Sequence, residues 1–248
     1  MKILLSFIIP CLNSKETIEE TLKSIFSQNI KFSYEVIVVD NGSIDNTLEI
    51  LNSYQDYISY MISEKDNGIY DAWNKAILQS SSEWISFIGS DDIMMPQGLT
   101  KMMSIVNFPT NNFITSKIIL VDNLGNEISV VGEKWNIKNL KNGLSIGHCG
   151  SLHHKSLFYN NNFNIQYQIA GDFEFLSRIS KHIKATFLNE VTIKMFYRGL
   201  SRRSINKVIL ETCIILWNNN SFSKYYAFKY FINAHLRNII RNIVFKIP

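Results

Sequence analysis

The chain has 248 residues, of which 46% are hydrophobic and 19% charged, and this ordinary globular composition predicts one domain, alone or with a short extension. The net charge of +4 is uneven, because residues 202–248 contain eight Lys or Arg and one Glu, a net of +7, which leaves −3 for residues 1–201. Three widely spaced cysteines exclude a disulfide framework and a CxxC metal pair, and they indicate a reducing, cytoplasmic compartment.

Short apolar runs alternate with helical patterns as far as residue 89. Four apolar runs, each short enough to be a strand covered on both faces, predict strands at residues 3–9, 34–40, 58–64 and 83–89. Helices are predicted between them at residues 13–29, 41–54 and 68–80, the first with Asn13 or Ser14 as its cap. This order predicts an α/β fold with a parallel, doubly wound sheet. We expect residues 1–13 to be a buried first strand rather than a signal peptide, since no cleavage site follows them.

Polar side chains follow all four predicted strands. They are Asn13 after the first, Asp40 after the second, Glu64 and Asp66 after the third, and Asp91 and Asp92 after the fourth. Ligands of such sheets bind beyond the carboxyl ends of the strands, so these side chains predict one binding site.

Asp91 and Asp92 directly follow a buried strand, where a carboxylate is costly unless a cation or hydrogen bonds compensate it. The chain has no GxGxxG after its first strand and no GxxxxGK[ST] phosphate loop. A divalent cation on paired carboxylates is another way to hold a diphosphate. The alternative is that the two aspartates cap a helix that begins before Pro96.

The second half is less regular. Residues 111–129 predict two strands around a turn, residues 170–182 predict a helix with Asp172 near its start, and residues 184–190 and 191–197 predict two strands. Helices are predicted from about residue 204 onward.

The C-terminal segment is basic and amphipathic. Its polar face recurs every four residues at Lys229, Asn233, Arg237 and Arg241. Its apolar face contains Phe228, Ile232, Ile239 and Ile243. This pattern predicts a helix that docks on the inner leaflet of the plasma membrane. The alternative is a helix packed on the rest of the protein with its basic face in solvent.

Four segments in a fixed order carry a resemblance to a known family: "FIIPCLNSKETIEETLKSIFSQ", "YEVIVVDNGSIDNT", "EKDNGIYDAWNKAI" and "WISFIGSDD". They resemble the nucleotide-sugar-binding half of the family 2 inverting glycosyltransferases, most closely the bacterial enzymes of colanic-acid, O-antigen and capsular polysaccharide synthesis. The resemblance is strong over residues 4–100. It continues more weakly through "IGHCGSLHHKSLF", "YQIAGDFEFLSRI" and "YRGLSRRS" to about residue 204.

The resemblance implies a GT-A fold, a Rossmann-like, mostly parallel sheet with flanking helices. It implies a nucleoside-diphosphate sugar donor, usually UDP-linked, a divalent cation (Mn²⁺ or Mg²⁺), and a glycan or polyprenyl-diphosphate-linked acceptor. No nucleic-acid partner is expected. The expected organisation is a GT-A domain at 1–204, divided into a nucleotide-sugar half at 1–100 and an acceptor half at 101–204, with a helical extension at 205–248.

The resemblance also implies roles for individual residues. The donor side would comprise Pro10 and Asn13 at the base pocket, Asp40 at the base or ribose, Asp66 and Gly68 against the nucleotide, and Asp71, Asn74 and Asp91. Asp92 would be the direct metal ligand and Asp172 the general base, with His148 at the acceptor or diphosphate. Three positions depart from the family pattern: Leu12, Asn41 and Cys149 stand where Tyr, an acid and Gln are usual.

Each role has a structural alternative. Asp40 alone reads as a turn residue, Asp71 and Asn74 as local hydrogen-bonding partners within their helix, and Asp172 as a helix cap. Glu174 is the weaker candidate for the base. Metal ligation by the histidines lacks suitable spacing.

Two other functions are compatible with these motifs. A sugar nucleotidyltransferase also uses a doubly wound sheet and acidic metal ligands, but it is expected to carry a Gly-rich loop after the first strand, where this chain has "PCLNSKE". A nucleotide-sugar-binding subunit without activity is the second alternative. The presence of both Asp92 and Asp172 argues against it.

Overall fold

The computed structural model describes residues 3–106, 111–199, 204–219 and 223–245, with side chains to residue 239. The strands are β1 Leu5–Cys11, β2 Tyr34–Asp40, β3 Tyr60–Ser63, β4 Trp84–Phe87, β5 Ile93–Met94, β6 Phe113–Val121, β7 Glu127–Val131, β8 Ser151–His154 and β9 Ala185–Phe196. The α-helices are α1 Ile18–Phe26, α2 Thr47–Ser53, α3 Ile69–Gln79, α4 Gly98–Met103, α5 Gly171–Arg178, α6 Ile205–Asn218 and α7 Lys224–Phe245.

One sheet runs through the molecule in the order β3-β2-β1-β4-β8-β6-β9-β5, with β7 beside β6. The first four strands of this order are all parallel, so their carboxyl ends meet at one edge. Beyond β4 the pairings are mixed: β8 is antiparallel to both β4 and β6, whereas β9 is parallel to β6. The predicted α/β fold with a Rossmann-like parallel core is therefore confirmed, and the antiparallel pairings belong to its second half.

The central strand β1 is covered on both faces, as its continuous apolar sequence predicts. Phe7 and Ile9 face a cluster that includes residues of α1 and α2, whereas Ile8 faces a cluster that includes residues of α3 and α5. Side chains alternate across a strand, so a strand buried on both sides has no polar face. Its functional groups are therefore confined to its end.

Three local predictions require correction. Asp91 and Asp92 do not cap a helix, because β5 follows them and α4 begins only at Gly98. The first helix begins at Ile18 with Thr17 as its N-cap residue, so neither Asn13 nor Ser14 is the cap. Residues 185–196 form the single strand β9 rather than two strands. Its register against β6 shifts between Ser116 and Ile118, and a bulge of this kind bends a strand without ending it.

The two C-terminal helices pack against the end of the sheet domain. An apolar cluster joins these helices to α5. It contains Ile215 and Leu216 of α6, Ala227 of α7, Phe173 of α5 and Ala170, which precedes α5. Among the described helices, none combines the length and hydropathy that crossing a membrane requires. Arg202, Arg203 and Lys246 lie outside the described residues, as do the side chains of Arg241 and Ile243. The boundary between a domain at 1–204 and an extension at 205–248 stays a prediction.

Candidate functional site

A cleft of about 460 Å³ opens beyond the carboxyl ends of β1 and β4. Four of the residues that the sequence analysis selected line it: Pro10, Asp92, His148 and Asp172. The remaining walls are mostly apolar and include Tyr230 of α7. Two acidic groups that are 80 positions apart in the sequence therefore face one cleft.

Asp92 is 4% exposed, and its Oδ2 accepts the Gly89 N–H at 2.9 Å. Burial, together with the neighbouring Asp91 charge, raises the pKa of Asp92 to about 7. Asp91 is more exposed and lies 3.7 Å from the Nε of Arg198, measured from its Oδ2. A Cβ added to Gly89 would lie 3.0 Å from Asp92 Oδ2 and 3.2 Å from Asp91 Oδ1, so both carboxylates pack closely against this glycine.

This donor set fits a hard divalent cation bound together with a substrate. The raised pKa of Asp92 shows that its charge is incompletely compensated in the protein alone. Among the described residues, no group of three or more His, Cys, Asp or Glu side chains is placed to hold a metal ion by itself. A cation on one or two carboxylates that takes its other oxygens from phosphate and water needs no such group.

Asp40 ends β2 and is completely buried. Its Oδ2 accepts the Ser43 N–H at 2.9 Å and the Ser63 hydroxyl at 2.6 Å, while its Oδ1 accepts the Ser43 hydroxyl and, at 3.5 Å, the Cys11 thiol. These four donors occupy the acceptor positions of a carboxylate. The contacts support the turn interpretation, and contact of Asp40 with a base or ribose stays a prediction.

Asn13 joins the loop after β1 to the loop after β2. Its Oδ1 accepts the Ile44 N–H at 3.0 Å and its own N–H donates to Ser43 Oγ at 2.8 Å. Its φ of 49° lies in the left-handed region, which Asn tolerates better than most residues. Pro10 lines the cleft, whereas Asn13 is exposed and holds the two loops together, and contact of either residue with a base stays a prediction.

Asp66 and Gly68 form the turn that leads into α3. Asp66 Oδ1 accepts the Gly68 N–H at 2.8 Å, and Gly68 has a φ of 109° that a side chain would strain. Burial raises the pKa of Asp66. Asp71, in the first turn of α3, accepts the Asn67 N–H at 2.9 Å, which is a local contact with the turn before the helix rather than within it.

Asn74 makes a different contact from either predicted role. Its Nδ2 donates to the Phe163 carbonyl at 2.9 Å, and its Oδ1 accepts the Phe163 N–H at 2.9 Å. The Asn74 amide therefore pairs with both backbone polar groups of Phe163, as the backbone of a neighbouring strand would. Contact of Asn74 with a donor sugar stays a prediction.

Asp172 is the second residue of α5 and is half-buried at the cleft. Its Oδ1 accepts the Phe173 N–H at 2.8 Å and has a longer contact of 3.4 Å with the Tyr70 hydroxyl. The N-cap residue is Ala170, so Asp172 is not the cap. A helix start favours an ionised carboxylate, but burial outweighs this effect and these hydrogen bonds and raises the pKa of Asp172 to about 6. A carboxylate with this pKa is well suited to accept a proton near neutral pH.

His148 stacks on Trp73 with ring centroids 4.9 Å apart and planes 12° apart. Burial lowers its pKa to about 3, so the ring is neutral. Its Nε2 is buried and has no hydrogen-bond partner among the described residues. A neutral ring can exchange a hydrogen bond with a ligand but cannot offset the charge of a diphosphate. Its contact with a ligand stays a prediction.

Three residues near these acids were not selected from the sequence. Arg198 lies next to Asp91, Tyr70 donates to the Ile169 carbonyl at 2.6 Å, and Glu211 of α6 accepts backbone N–H groups before α5. Arg198 begins the "RGLSRRS" part of a quoted motif, so a signal existed. No sequence pattern links Glu211 to a segment 41 residues earlier.

Comparison with protein families gives a match to the model of glycosyl transferase family 2 over residues 6–179. Among curated proteins, a glycosyltransferase named AglE from Haloferax volcanii is 37% identical over 106 residues, 41% of this chain and 35% of that protein. This chain therefore spans about a third of that relative's length. A "PGL/p-HBAD biosynthesis glycosyltransferase" from Mycobacterium bovis is 25% identical over 83% of this chain and 82% of its own.

Two solved structures share the fold. The S. aureus TarS 1–349 complex with UDP-GlcNAc has a TM-score of 0.72 at 20% identity, covering 95% of this chain and 73% of that one. A mannosyltransferase from Pyrobaculum calidifontis with GDP-Man and Mn²⁺ has a TM-score of 0.68 at 16% identity, covering 95% and 69%. At these identities the likeness concerns the fold, and it agrees with the GT-A architecture expected from the sequence.

Proposed function

The chain belongs to glycosyl transferase family 2, and from this premise we propose that it is an inverting, metal-dependent glycosyltransferase that uses a nucleoside-diphosphate sugar, with UDP as the expected nucleotide. The observation that carries the proposal is the placement of Asp92 and Asp172 in one cleft. One acid is deeply buried and has the chemistry of a cation ligand, and the other has the pKa of a base that works near neutral pH.

The residues divide the reaction between them. Asp92, with Asp91 beside it, would hold the divalent cation, which when bound neutralises the charge that develops on the leaving diphosphate. Asp172 accepts the proton of an acceptor hydroxyl as that oxygen forms its bond to the anomeric carbon. The bond from the anomeric carbon to the diphosphate oxygen breaks, and the nucleoside diphosphate leaves with its electron pair. Attack opposite the leaving group inverts the anomeric configuration, so an α-linked donor gives a β-linked product.

The fold supports this assignment on the donor side. UDP-GlcNAc in TarS and GDP-Man with Mn²⁺ in the archaeal mannosyltransferase are bound by proteins of the same architecture. In this chain the corresponding region would be formed by Pro10, Asn13, Asp40, Asp66 and Gly68, with Asp71 and Asn74 on the adjacent helix.

For the acceptor side we propose a glycan or a polyprenyl-diphosphate-linked sugar of bacterial surface polysaccharide synthesis. A lipid-linked acceptor would place the enzyme in the cytoplasm on the inner face of the plasma membrane. His148 and the apolar cleft wall that includes Tyr230 are the expected acceptor contacts.

A donor panel tests the proposal directly. The full chain is incubated with Mn²⁺ and a set of UDP- and GDP-sugars, and release of nucleoside diphosphate is measured with and without candidate acceptors. Acceptor-dependent release of UDP supports glycosyl transfer. Release of inorganic diphosphate instead would indicate the nucleotidyltransferase, and binding without turnover across the panel would indicate a non-catalytic binding subunit.

A further inference from the structure

The two C-terminal helices expose an apolar surface that the function above leaves unexplained. We define the two-helix surface as Leu210, Ile214 and Trp217 of α6 with Phe228, Phe231, Ile232, Leu236 and Ile239 of α7. Each of these side chains is between 41% and 62% exposed. Exposed apolar patches of this extent mark a contact site for another protein or for lipid.

The surface is continuous across both helices. Leu210, Ile214 and Trp217 recur at helical spacing on one side of α6, while Glu211, Ile215 and Leu216 face the protein. Ile214 and Trp217 share a groove of about 400 Å³ with Phe228 and Phe231. The sequence predicted one amphipathic helix, whereas the structure shows two helices contributing to one apolar face.

Positive charge borders this surface. Lys224 and Lys229 both belong to α7. The Nζ of Lys224 lies 4.6 Å from the centroid of the Trp217 ring of α6, and Lys229 is exposed. Within residues 204–245, Glu211 is the only acid, and it is buried. Two copies of the chain meeting through this face would bring their lysines together without acids to pair them. Anionic lipid supplies the missing negative charge.

We propose that the two-helix surface docks on an anionic membrane, with the aromatic and aliphatic side chains in the interface and Lys224 and Lys229 at the headgroups. The two-helix surface would be the part of the protein that contacts the membrane at the location proposed above. This docking does not depend on the glycosyl-transfer reaction. The partner is defined by its chemistry, a lipid surface carrying negative headgroups.

The test is vesicle flotation of the full chain. We expect recovery with phosphatidylglycerol–phosphatidylcholine vesicles and little with phosphatidylcholine alone. Trp217→Ser combined with Phe228→Ser should lower the partition coefficient about tenfold or more, and each of Lys224→Gln and Lys229→Gln about fivefold. The matched control is Leu78→Ser, which removes an apolar side chain 79% exposed at the end of α3 and should leave partitioning unchanged.

Equal recovery with neutral and anionic vesicles, or unchanged partitioning of the Trp217/Phe228 variant, would overturn the proposal. So would a dimer seen by light scattering that this same double variant dissociates, because the surface would then be occupied by a second copy.

A second, independent observation concerns Glu211. Its Oε1 accepts the Gln168 N–H at 3.0 Å, and its Oε2 accepts the N–H groups of Ile169 at 3.0 Å and Ala170 at 2.9 Å. The side chain is 7% exposed. Three consecutive N–H groups that converge on one carboxylate form a rigid anchor for the backbone just before α5.

Tyr70 holds the same segment from the other side. Its hydroxyl donates to the Ile169 carbonyl at 2.6 Å, and its ring lies so close to Gly171 that an added Cβ would come within 2.6 Å of it. The backbone leading into Asp172 is therefore fixed between α3 and α6. Glu211 belongs to the first of the two C-terminal helices and lies beyond residue 179, where the family match ends.

We infer that Glu211 is a positioning residue for Asp172, acting through residues 168–170. The inference rests on the proposed role of Asp172 as general base. Glu211→Gln keeps the size of the side chain but removes the charge and one acceptor oxygen, so the three N–H groups either share a single oxygen, with Gln168 at the longer distance of 3.3 Å, or lose both contacts of Oε2.

The experiment compares Glu211→Gln with Glu35→Gln. Glu35 is also 7% exposed and accepts the Ser81 N–H at 2.8 Å. It lies near the amino end of β2, whereas the cleft lies beyond the carboxyl ends of the parallel strands. Asp40, which marks the carboxyl end of β2, is about 17 Å along the strand from Glu35. Both variants should lose similar thermal stability. Only Glu211→Gln should lower kcat, by about tenfold or more, with the donor KM within about twofold. Amide hydrogen exchange should accelerate locally at residues 168–170 in that variant alone.

Should Glu211→Gln fail to fold, Glu211→Asp keeps the charge but shortens the side chain by one methylene, and it should lower kcat in the same way. Unchanged kcat in a folded Glu211 variant, or an equal loss in Glu35→Gln, would overturn the inference. Normal turnover in Asp172→Asn would instead refute the proposed base, and amide exchange would still report the Glu211 contact.

Discussion

The role of Asp172 can be tested by a substitution that removes its basicity and little else. In Asp172→Asn the amide oxygen can still accept the Phe173 N–H and keep the longer contact with the Tyr70 oxygen, which are the two contacts of Oδ1. The variant cannot take a proton from an acceptor hydroxyl. General-base assistance contributes about 10²–10⁴-fold, so turnover should fall by that factor while UDP-sugar binding is retained.

The raised pKa gives the wild-type protein a distinctive pH dependence. With a pKa of about 6, the carboxylate is about 90% ionised at pH 7 and about 10% at pH 5. The rate with saturating Mn²⁺ should therefore fall about tenfold between these pH values. An unperturbed aspartate, with a pKa of about 4, would lose little activity over the same interval.

The stability of the folded protein should change with pH in the opposite direction to the rate. Because the folded-state pKa is raised, the folded protein binds the proton more tightly than the unfolded chain, and stability is lost as pH rises from about 4 to about 6. Above pH 6 the ionised carboxylate costs up to about 3 kcal/mol, and less in practice because the side chain is only half-buried. Asp172→Asn should thus melt at the same or a higher temperature than the wild type at pH 8.

The assay is UDP release over pH 5–8, with melting curves at both ends of the range and the exposed Asp56→Asn as control. Near-normal turnover of Asp172→Asn, or a wild-type rate that stays flat down to pH 5, would refute the reasoning. Lost turnover with a lowered melting temperature would indicate a structural role for the side chain.

Three further outcomes are expected. Asp92→Ala should abolish Mn²⁺-dependent UDP binding in calorimetry, because it removes the buried carboxylate that faces the cleft; unchanged affinity would contradict this assignment. Gly171→Ala should destabilise the fold by about 1–3 kcal/mol and lower kcat, because the added Cβ would lie 2.6 Å from the buried Tyr70 ring. Unchanged melting temperature and turnover would show that the Tyr70 ring can move aside at little cost. Asn74→Ala should cost about 1–3 kcal/mol by leaving the Phe163 backbone groups without partners, and it should raise the donor KM if Asn74 belongs to the proposed donor side; lost stability with an unchanged donor KM would limit Asn74 to its Phe163 contacts.

The sequence by itself determined the architecture of the first half of the chain. Strands such as residues 34–40 coincide with the observed β2, because a strand buried on both faces must be continuously apolar and is bounded by turn residues. The same logic located the polar strand ends, since in a parallel sheet functional groups can lie only beyond the last buried residue. Asp92 was selected on this basis and from the family resemblance, whereas Asp172 was selected from the resemblance alone.

Only the tertiary structure decided how these residues are held and tuned. The raised pKa of Asp172 follows from burial, which outweighs the stabilisation of its charge at a helix start. The contacts of Asn74 with Phe163 and of Glu211 with residues 168–170 join segments separated by 89 and by 41 to 43 positions. Local patterns report the periodicity of one element at a time, and they contain no information on which distant backbone groups a side chain will meet. The chemistry of the cleft depends on those long-range contacts, because they set the burial and hydrogen bonding of each acid.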